Sequence, residues 1–168
     1  MTRLAHCAYC GQRFPEAAPW PRTCAACGET SYLNPIPVTV VLVPIAAGLL
    51  AVRRAIEPGR GQLALPGGFV NAGESWQAAG AREVAEETGL ALDPAELSVF
   101  AVHSPPAPVN NVLIFALAQP RRAAELDAFT PNAETHALVV LAGPQPLAFP
   151  LHTLVAAEYF ARQAAAGR

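Results

Sequence analysis

Apolar and polar positions along the chain follow two rhythms. Val38 to Ile45 is a run rich in β-branched residues and predicts a strand. Ala46, Ala47 and Gly48 then make a turn, and Leu49 to Arg53 is the returning strand. Arg54 to Gly61 is a loop, and Gln62 to Leu65 a short strand ending at Pro66-Gly67-Gly68. Leu97 to Val102, Val112 to Ala118 and His136 to Leu141 predict three more strands. The stretch from Val112 to Leu117 is continuously apolar, as in a strand covered on both faces. The rhythm changes in two places. Trp76, Ala79 and Val84 recur at helical spacing, with Ser75 as N-cap, Gly89 as left-handed terminator and a helix running to about Thr88. Gly80 falls on the same stripe, which calls for a close packing contact there. Leu151, Leu154, Val155 and Tyr159 mark a second amphipathic helix near the end. The order of strands, helix, strands, helix predicts an α+β fold in which a mixed sheet is sandwiched between helices.

The first 34 residues do not share this patterning. All four cysteines lie there, as two C-x-x-C pairs, Cys7/Cys10 and Cys24/Cys27, each followed by glycine. Two such turns, each giving two thiolates, close a tetrahedral S₄ site for a structural zinc, stabilising a segment too small to fold alone. The alternatives are disulfides, disfavoured in a reducing compartment, and a redox motif, which needs a βαβ context missing here. Residues 1–34 are therefore read as a zinc ribbon and 35–168 as the main domain.

Composition narrows the classes. Of 168 residues, 52% are hydrophobic and 14% charged, so a substantial core is expected. The net charge is −2, and every one of the 11 cationic side chains is arginine. That is too thin a basic footprint for general nucleic-acid binding. No signal peptide is visible, and the longest apolar run is too short and broken to span a membrane, so a cytoplasmic protein is the simple reading.

Chemistry concentrates in residues 68–90, GFVNAGESWQAAGAREVAEETGL. At about 100° per residue, Glu86 and Glu87 fall about 60° and 40° to either side of Glu83. Three carboxylates thus share one helical turn, at a repulsive cost of a few tenths of a kcal/mol per pair. A solvated acidic face is the bland explanation. A divalent cation is the chemical one, and hard oxygen ligands suit Mg²⁺ or Mn²⁺.

Gly68, Glu74, Arg82-Glu83, Val84, Glu86-Glu87, Gly89 and Leu90 together fit the Nudix box, so the chain resembles the Nudix hydrolases, which cleave nucleoside diphosphates linked to another moiety. The resemblance implies an α/β/α sandwich. It makes Glu83, Glu86 and Glu87 metal ligands, with the Gly67 carbonyl as a further ligand. Glu83 or a later acid would be the base, Arg82 would orient a box glutamate, and Glu74 would touch metal or substrate or brace the loop. Glu134 is the candidate later acid, as base or extra ligand. Arg53, Arg54, Arg60 and Phe69 are candidate substrate contacts, and Asn110 and Asn111 lie in the same region of the chain. The zinc ribbon points to the NADH pyrophosphatase branch and its relatives. The S-Q-P-W-type motif of that branch is replaced here by His103-Ser104-Pro105-Pro106-Ala107-Pro108, and the tail from Leu147 to His152 is closer to members acting on ADP-ribose or FAD. A small nucleotide is the expected partner, and the ribbon is a candidate surface for a homodimer or a lid. The rival expectations are a nucleotide-binding sensor that kept the fold and an enzyme directed at capped RNA.

Overall fold

The computed structural model describes residues 4–166, which divide into two units between Pro35 and Ile36. In the first, β1 (Arg22–Thr23) and β2 (Thr30–Ser31) form a two-stranded antiparallel ribbon. Its small core is Cys7, Phe14 and Cys24. Trp20 meets Phe14 edge-on, and the Arg22 guanidinium lies 4.4 Å from the Trp20 ring centroid.

The second unit contains β3 (Ile36–Leu42), β4 (Pro44–Ile45), β5 (Gly48–Arg54), β6 (Leu63–Ala64), β7 (Gly67–Phe69), α1 (Trp76–Thr88), β8 (Ser98–His103), β9 (Asn111–Leu117), β10 (Thr135–Leu141) and α2 (Pro150–Ala166). One sheet has the order β7-β3-β9-β8 and is mixed, because β3 and β9 run parallel while the outer pairs are antiparallel. The other joins β10, β5 and β4, with β6 also on β5, all antiparallel. The expected strand from Val38 to Ile45 breaks at Val43. Pro44, which has no N–H to give to a ladder, starts a separate short strand.

The two-residue strand period sorts the apolar side chains into two cores. Val40 and Leu42 of β3, Leu49 and Ala51 of β5, and Leu113 and Phe115 of β9 pack with Val155, Ala156 and Tyr159 of α2. Their neighbours Val41, Leu50 and Ala116 pack with Ala81 and Val84 of α1, with Trp76 at the edge. Each helix therefore covers its own core, and the unbroken apolar run in β9 faces both. The architecture is the expected α+β sandwich.

Local chemistry fixes α1. The Ser75 hydroxyl accepts from the Ala78 amide at 3.1 Å, and Gly89 terminates the helix at φ 76°. Gly80 presses against β3. A Cβ there would stand 2.9 Å from Thr39 Cγ2 and 3.0 Å from Val41 Cγ2, so nothing larger than glycine fits without movement. The Pro66-Gly67-Gly68 segment, where the sequence predicts a strand to end, leads into strand β7 at Gly67. Two glycines carry almost no strand propensity of their own, and pairing with β3 supplies it.

Candidate active site

β7 and α1 together place the acidic face. Gly67 has φ 151° and lies so close to β3 that a Cβ would collide with the Thr39 carbonyl oxygen. A Cβ on Gly68 would collide with the Glu83 carboxylate. The two glycines thus let the backbone close onto the helix, and the Gly67 amide donates to Glu87 Oε2 at 3.0 Å.

Arg82 holds the rest. Its Nη1 donates to Glu83 Oε1 at 2.7 Å and to Glu86 Oε2 at 3.1 Å. Its Nη2 donates to Glu74 Oε1 at 2.8 Å and to the Phe69 carbonyl at 3.0 Å. One planar fork therefore ties three carboxylates and the preceding loop together. Glu74 also accepts from the Asn71 amide at 2.7 Å, and these donors hold its carboxyl below the usual range. Glu74 braces the loop and is not among the cavity-lining residues.

Glu83, Glu86, Glu87 and Glu134 line one cavity of about 490 Å³. Burial pushes Glu87 up to about 7. The Gly67 amide pulls against that rise, and the charges of Glu83 and Glu134 add to it. Burial also raises Glu83, opposed by Arg82 and reinforced by Glu86 and Glu134. Four carboxylates lining one cavity, with Glu83 and Glu87 raised in part by their neighbours' charges, form a set of hard oxygen donors that suits a divalent cation such as Mg²⁺ or Mn²⁺.

Glu134 reaches this group through a loop that the sequence did not explain. Asn132 Nδ2 donates to the Glu86 carbonyl at 3.0 Å, and Asn132 Oδ1 accepts from the amides of Glu134 (2.9 Å) and Thr135 (2.8 Å). One side chain thus fastens the Glu134 loop to the end of α1. An asparagine between Pro131 and Ala133 reads as a turn former, and nothing local announces its partner 46 residues away.

Further lining of the cavity comes from β5 and from the chain that enters α2. Arg54 lines it, with Nε donating to the Pro58 carbonyl at 2.8 Å and the guanidinium 5.1 Å from the Phe149 ring centroid. Phe69, Gly67 and Asn111 line it as well. Arg53, one residue earlier on the strand, points elsewhere and donates to the Gly61 carbonyl at 2.9 Å. Neither Arg60 nor Asn110 lines the cavity, and the Asn110 carbonyl accepts from the Ile36 amide at 2.9 Å. His152 and Phe149, both within the Leu147 to His152 tail, also line the cavity.

In the first unit the four cysteine sulfurs lie within 4.8 Å of one another. The two knuckles repeat one geometry. Gly11 N donates to the Cys7 carbonyl and Gly28 N to the Cys24 carbonyl, both glycines at φ 77°. Backbone amides of Cys10 and Tyr9 lower the Cys7 thiol to about 6, and those of Cys27 and Ala26 lower Cys24. The closest sulfur pairs are 3.7 and 3.6 Å apart. The edge of a tetrahedron with Zn–S near 2.3 Å is about 3.8 Å. The cluster can hold a metal ion, and its dimensions fit zinc.

Comparison with known proteins agrees with this geometry. The NUDIX domain family matches residues 35–153. Over 75 residues the chain is 39% identical to the ADP-ribose pyrophosphatase of Methanocaldococcus jannaschii, covering 45% of this chain and 43% of that protein. Over 85 residues it is 33% identical to the NAD-capped RNA hydrolase NudC of Citrobacter koseri, covering 50% of this chain and 33% of that one. The chain thus spans less than half the length of these relatives. Among solved structures, a NUDIX hydrolase from Nitrosomonas europaea superposes with a TM-score of 0.70 over 96% of this chain and 93% of that one, at 22% identity. Matched over most of its length, and with the acidic helix, glycine turn and arginine fork in place, the chain belongs to the NUDIX family.

Proposed function

We propose that the protein is a divalent-metal-dependent hydrolase of nucleoside diphosphates linked to a second moiety, of the ADP-ribose, FAD or NADH type. The observation that carries this reading is the convergence of Glu83, Glu86, Glu87 and Glu134 on one cavity that Arg54 also lines. Glu83, Glu86 and Glu87 are the side chains that would hold Mg²⁺ or Mn²⁺. Bound there, the cation would neutralise diphosphate charge and acidify water. Arg82 keeps the carboxylates in register, and Asn132 keeps Glu134 at the cavity. Glu134 or Glu83 takes the proton of the attacking water. The water oxygen bonds to one phosphorus, the anhydride P–O bond breaks, and two phosphate monoesters leave. Arg54 faces the substrate phosphates. In the first unit, Cys7, Cys10, Cys24 and Cys27 hold a structural zinc, and Cys24→Ser abolishes it in a metal analysis of the purified protein.

The relatives' names set the substrate range: ADP-ribose for one, NAD-capped RNA for the other. The net charge of −2 favours the small nucleotide over an RNA chain. The test is a panel of ADP-ribose, FAD, NADH, diadenosine polyphosphates, dNTPs and NAD-capped RNA with Mg²⁺ or Mn²⁺, read as nucleotide products by chromatography. Turnover of one diphosphate well above the rest is expected. Binding without turnover of any would replace the hydrolase by a nucleotide sensor.

A further inference from the structure

His152 stands in the first part of α2 and is 6% exposed, yet it lines the cavity. A histidine that merely filled space would be replaceable by an apolar ring. This one is hydrogen-bonded, oriented and stripped of one choice of proton. Its Nδ1 accepts from the Leu65 backbone amide at 3.2 Å. An imidazole nitrogen that accepts cannot carry the proton of the neutral ring, so the proton sits on Nε2. Phe149 packs against the ring at 4.9 Å between centroids, and Phe115 meets it edge-on at 5.8 Å, fixing its plane. Burial, with the Arg54 charge adding to it, holds the ring down to about 3, so it is neutral throughout the physiological range.

Nε2 has no protein partner among the described residues, and it is not among the polar atoms sealed from solvent without one. It therefore opens on the space that His152 lines. An N–H held in a fixed direction at a cavity surface gives up only water when an acceptor enters, so it is free to bond whatever the cavity takes in. We infer that His152 is a specificity-determining residue that donates its Nε2–H to a neutral acceptor, a ribose oxygen or a base ring atom, on the nucleoside half of the substrate.

A neutral donor suits a neutral acceptor. Phosphate oxygens have Arg54 and the cation site in the same cavity. Phe149, which packs on His152 and carries the Arg54 guanidinium on its ring, gives that end of the cavity the apolar surface a nucleoside needs. The inference rests on the nucleotide reading of the site and extends it to one contact.

Two substitutions separate recognition from folding. His152→Asn keeps an acceptor where Nδ1 stands, preserving the Leu65 bond, and has nothing where Nε2 stands. His152→Gln places an amide donor near Nε2 and gives up the Leu65 bond. The probes are AMP, which has no anhydride to cleave, and inorganic pyrophosphate, each titrated calorimetrically in Mg²⁺, with the melting temperature recorded in parallel. His152→Asn weakens AMP about tenfold, the worth of one hydrogen bond, and leaves pyrophosphate unchanged. It melts lower, because the ring packed by Phe115 and Phe149 is gone, but a general loss of fold would weaken both probes alike. His152→Gln melts lower but keeps AMP affinity within about threefold.

AMP affinity unchanged in His152→Asn overturns the inference. So does an equal loss for AMP and pyrophosphate, which would make the acceptor a phosphate, and so does a wild-type protein that does not bind AMP. Failure of the hydrolase reading shows separately. AMP binding that depends on His152, in a protein that turns over nothing in the panel, sinks the enzyme and leaves the contact standing.

Discussion

The two walls of the cavity are built by different means. The α1 wall and the residues that brace it are written in one contiguous stretch: Gly67, Gly68, Glu83, Glu86 and Glu87 of the lining and Glu74 and Arg82 behind it lie within 21 residues. Glu74, Glu83 and Glu86 interlock through the Arg82 guanidinium, and Glu87 accepts from the Gly67 amide. The α2 wall is assembled from Arg54 on β5, Phe149 just before α2 and His152 in its first turn, close to 100 residues apart in the chain. The first wall is dense in charge and holds its carboxylates together at an electrostatic cost. The second is largely aromatic, with one cation and one neutral donor. A wall that concentrates charge is arranged for chemistry common to all diphosphates. A wall of rings and single donors is arranged to choose among them. On this account, damage to the first lowers kcat, and damage to the second raises KM.

The largest expected effect is on the charged wall. Glu86→Gln or Glu87→Gln should lower kcat by at least about 10²-fold, more than the loss of an outer-shell partner, with the circular dichroism spectrum unchanged. Full activity in either variant would remove the carboxylate site from the mechanism. Arg82→Ala should cost about 10- to 100-fold in kcat, because Glu83 and Glu86 lose their common anchor. Arg82→Lys should recover little of it, since a point charge cannot bridge Glu74, Glu83 and the Phe69 carbonyl together. On the other wall, Arg54→Ala should raise KM about tenfold and leave kcat within a few-fold, as steady-state kinetics would show.

The smallest effect is on stability. Glu87 titrates near 7 in the fold against the usual 4.5, so between those values the folded state holds the extra proton. Its contribution favours the fold below pH 4.5 and is lost as pH rises through 7. With no added Mg²⁺, the melting temperature of wild type should therefore fall between pH 5 and pH 8 relative to Glu87→Gln. A constant difference between the two across that range would contradict the burial of this carboxylate. His152 runs the other way. Its folded value near 3 against 6.5 gives a contribution present above pH 6.5 and lost toward pH 3.

The same contrast explains what could be read from the residues alone. The box helix was legible in its cap, its end and its stripe, because Ser75 and Gly89 act within one turn and Trp76, Ala79 and Val84 recur at helical spacing. The tight approach at Gly80 followed from the cost of a mid-helix glycine. The double-sided burial of β9 followed from its lack of polar interruption. The thiolate turns were legible because spacing alone builds them. Strand β7 was not, since its glycines are strand only by pairing with β3. Arg53 and Arg54 are adjacent and chemically identical, and strand alternation sends only Arg54 to the cavity. Asn132 and His152 were missed as site residues for the same reason. Each acts on a partner distant in sequence, the Glu86 carbonyl for one and the Leu65 amide for the other.

The most direct test is to measure kcat and KM separately for wild type, Glu87→Gln and Arg54→Ala on the best substrate of the panel. Glu87→Gln should lose kcat with KM nearly unchanged, and Arg54→Ala should lose affinity with kcat nearly unchanged. If both substitutions move the same parameter by the same factor, the division of labour between the two walls is wrong.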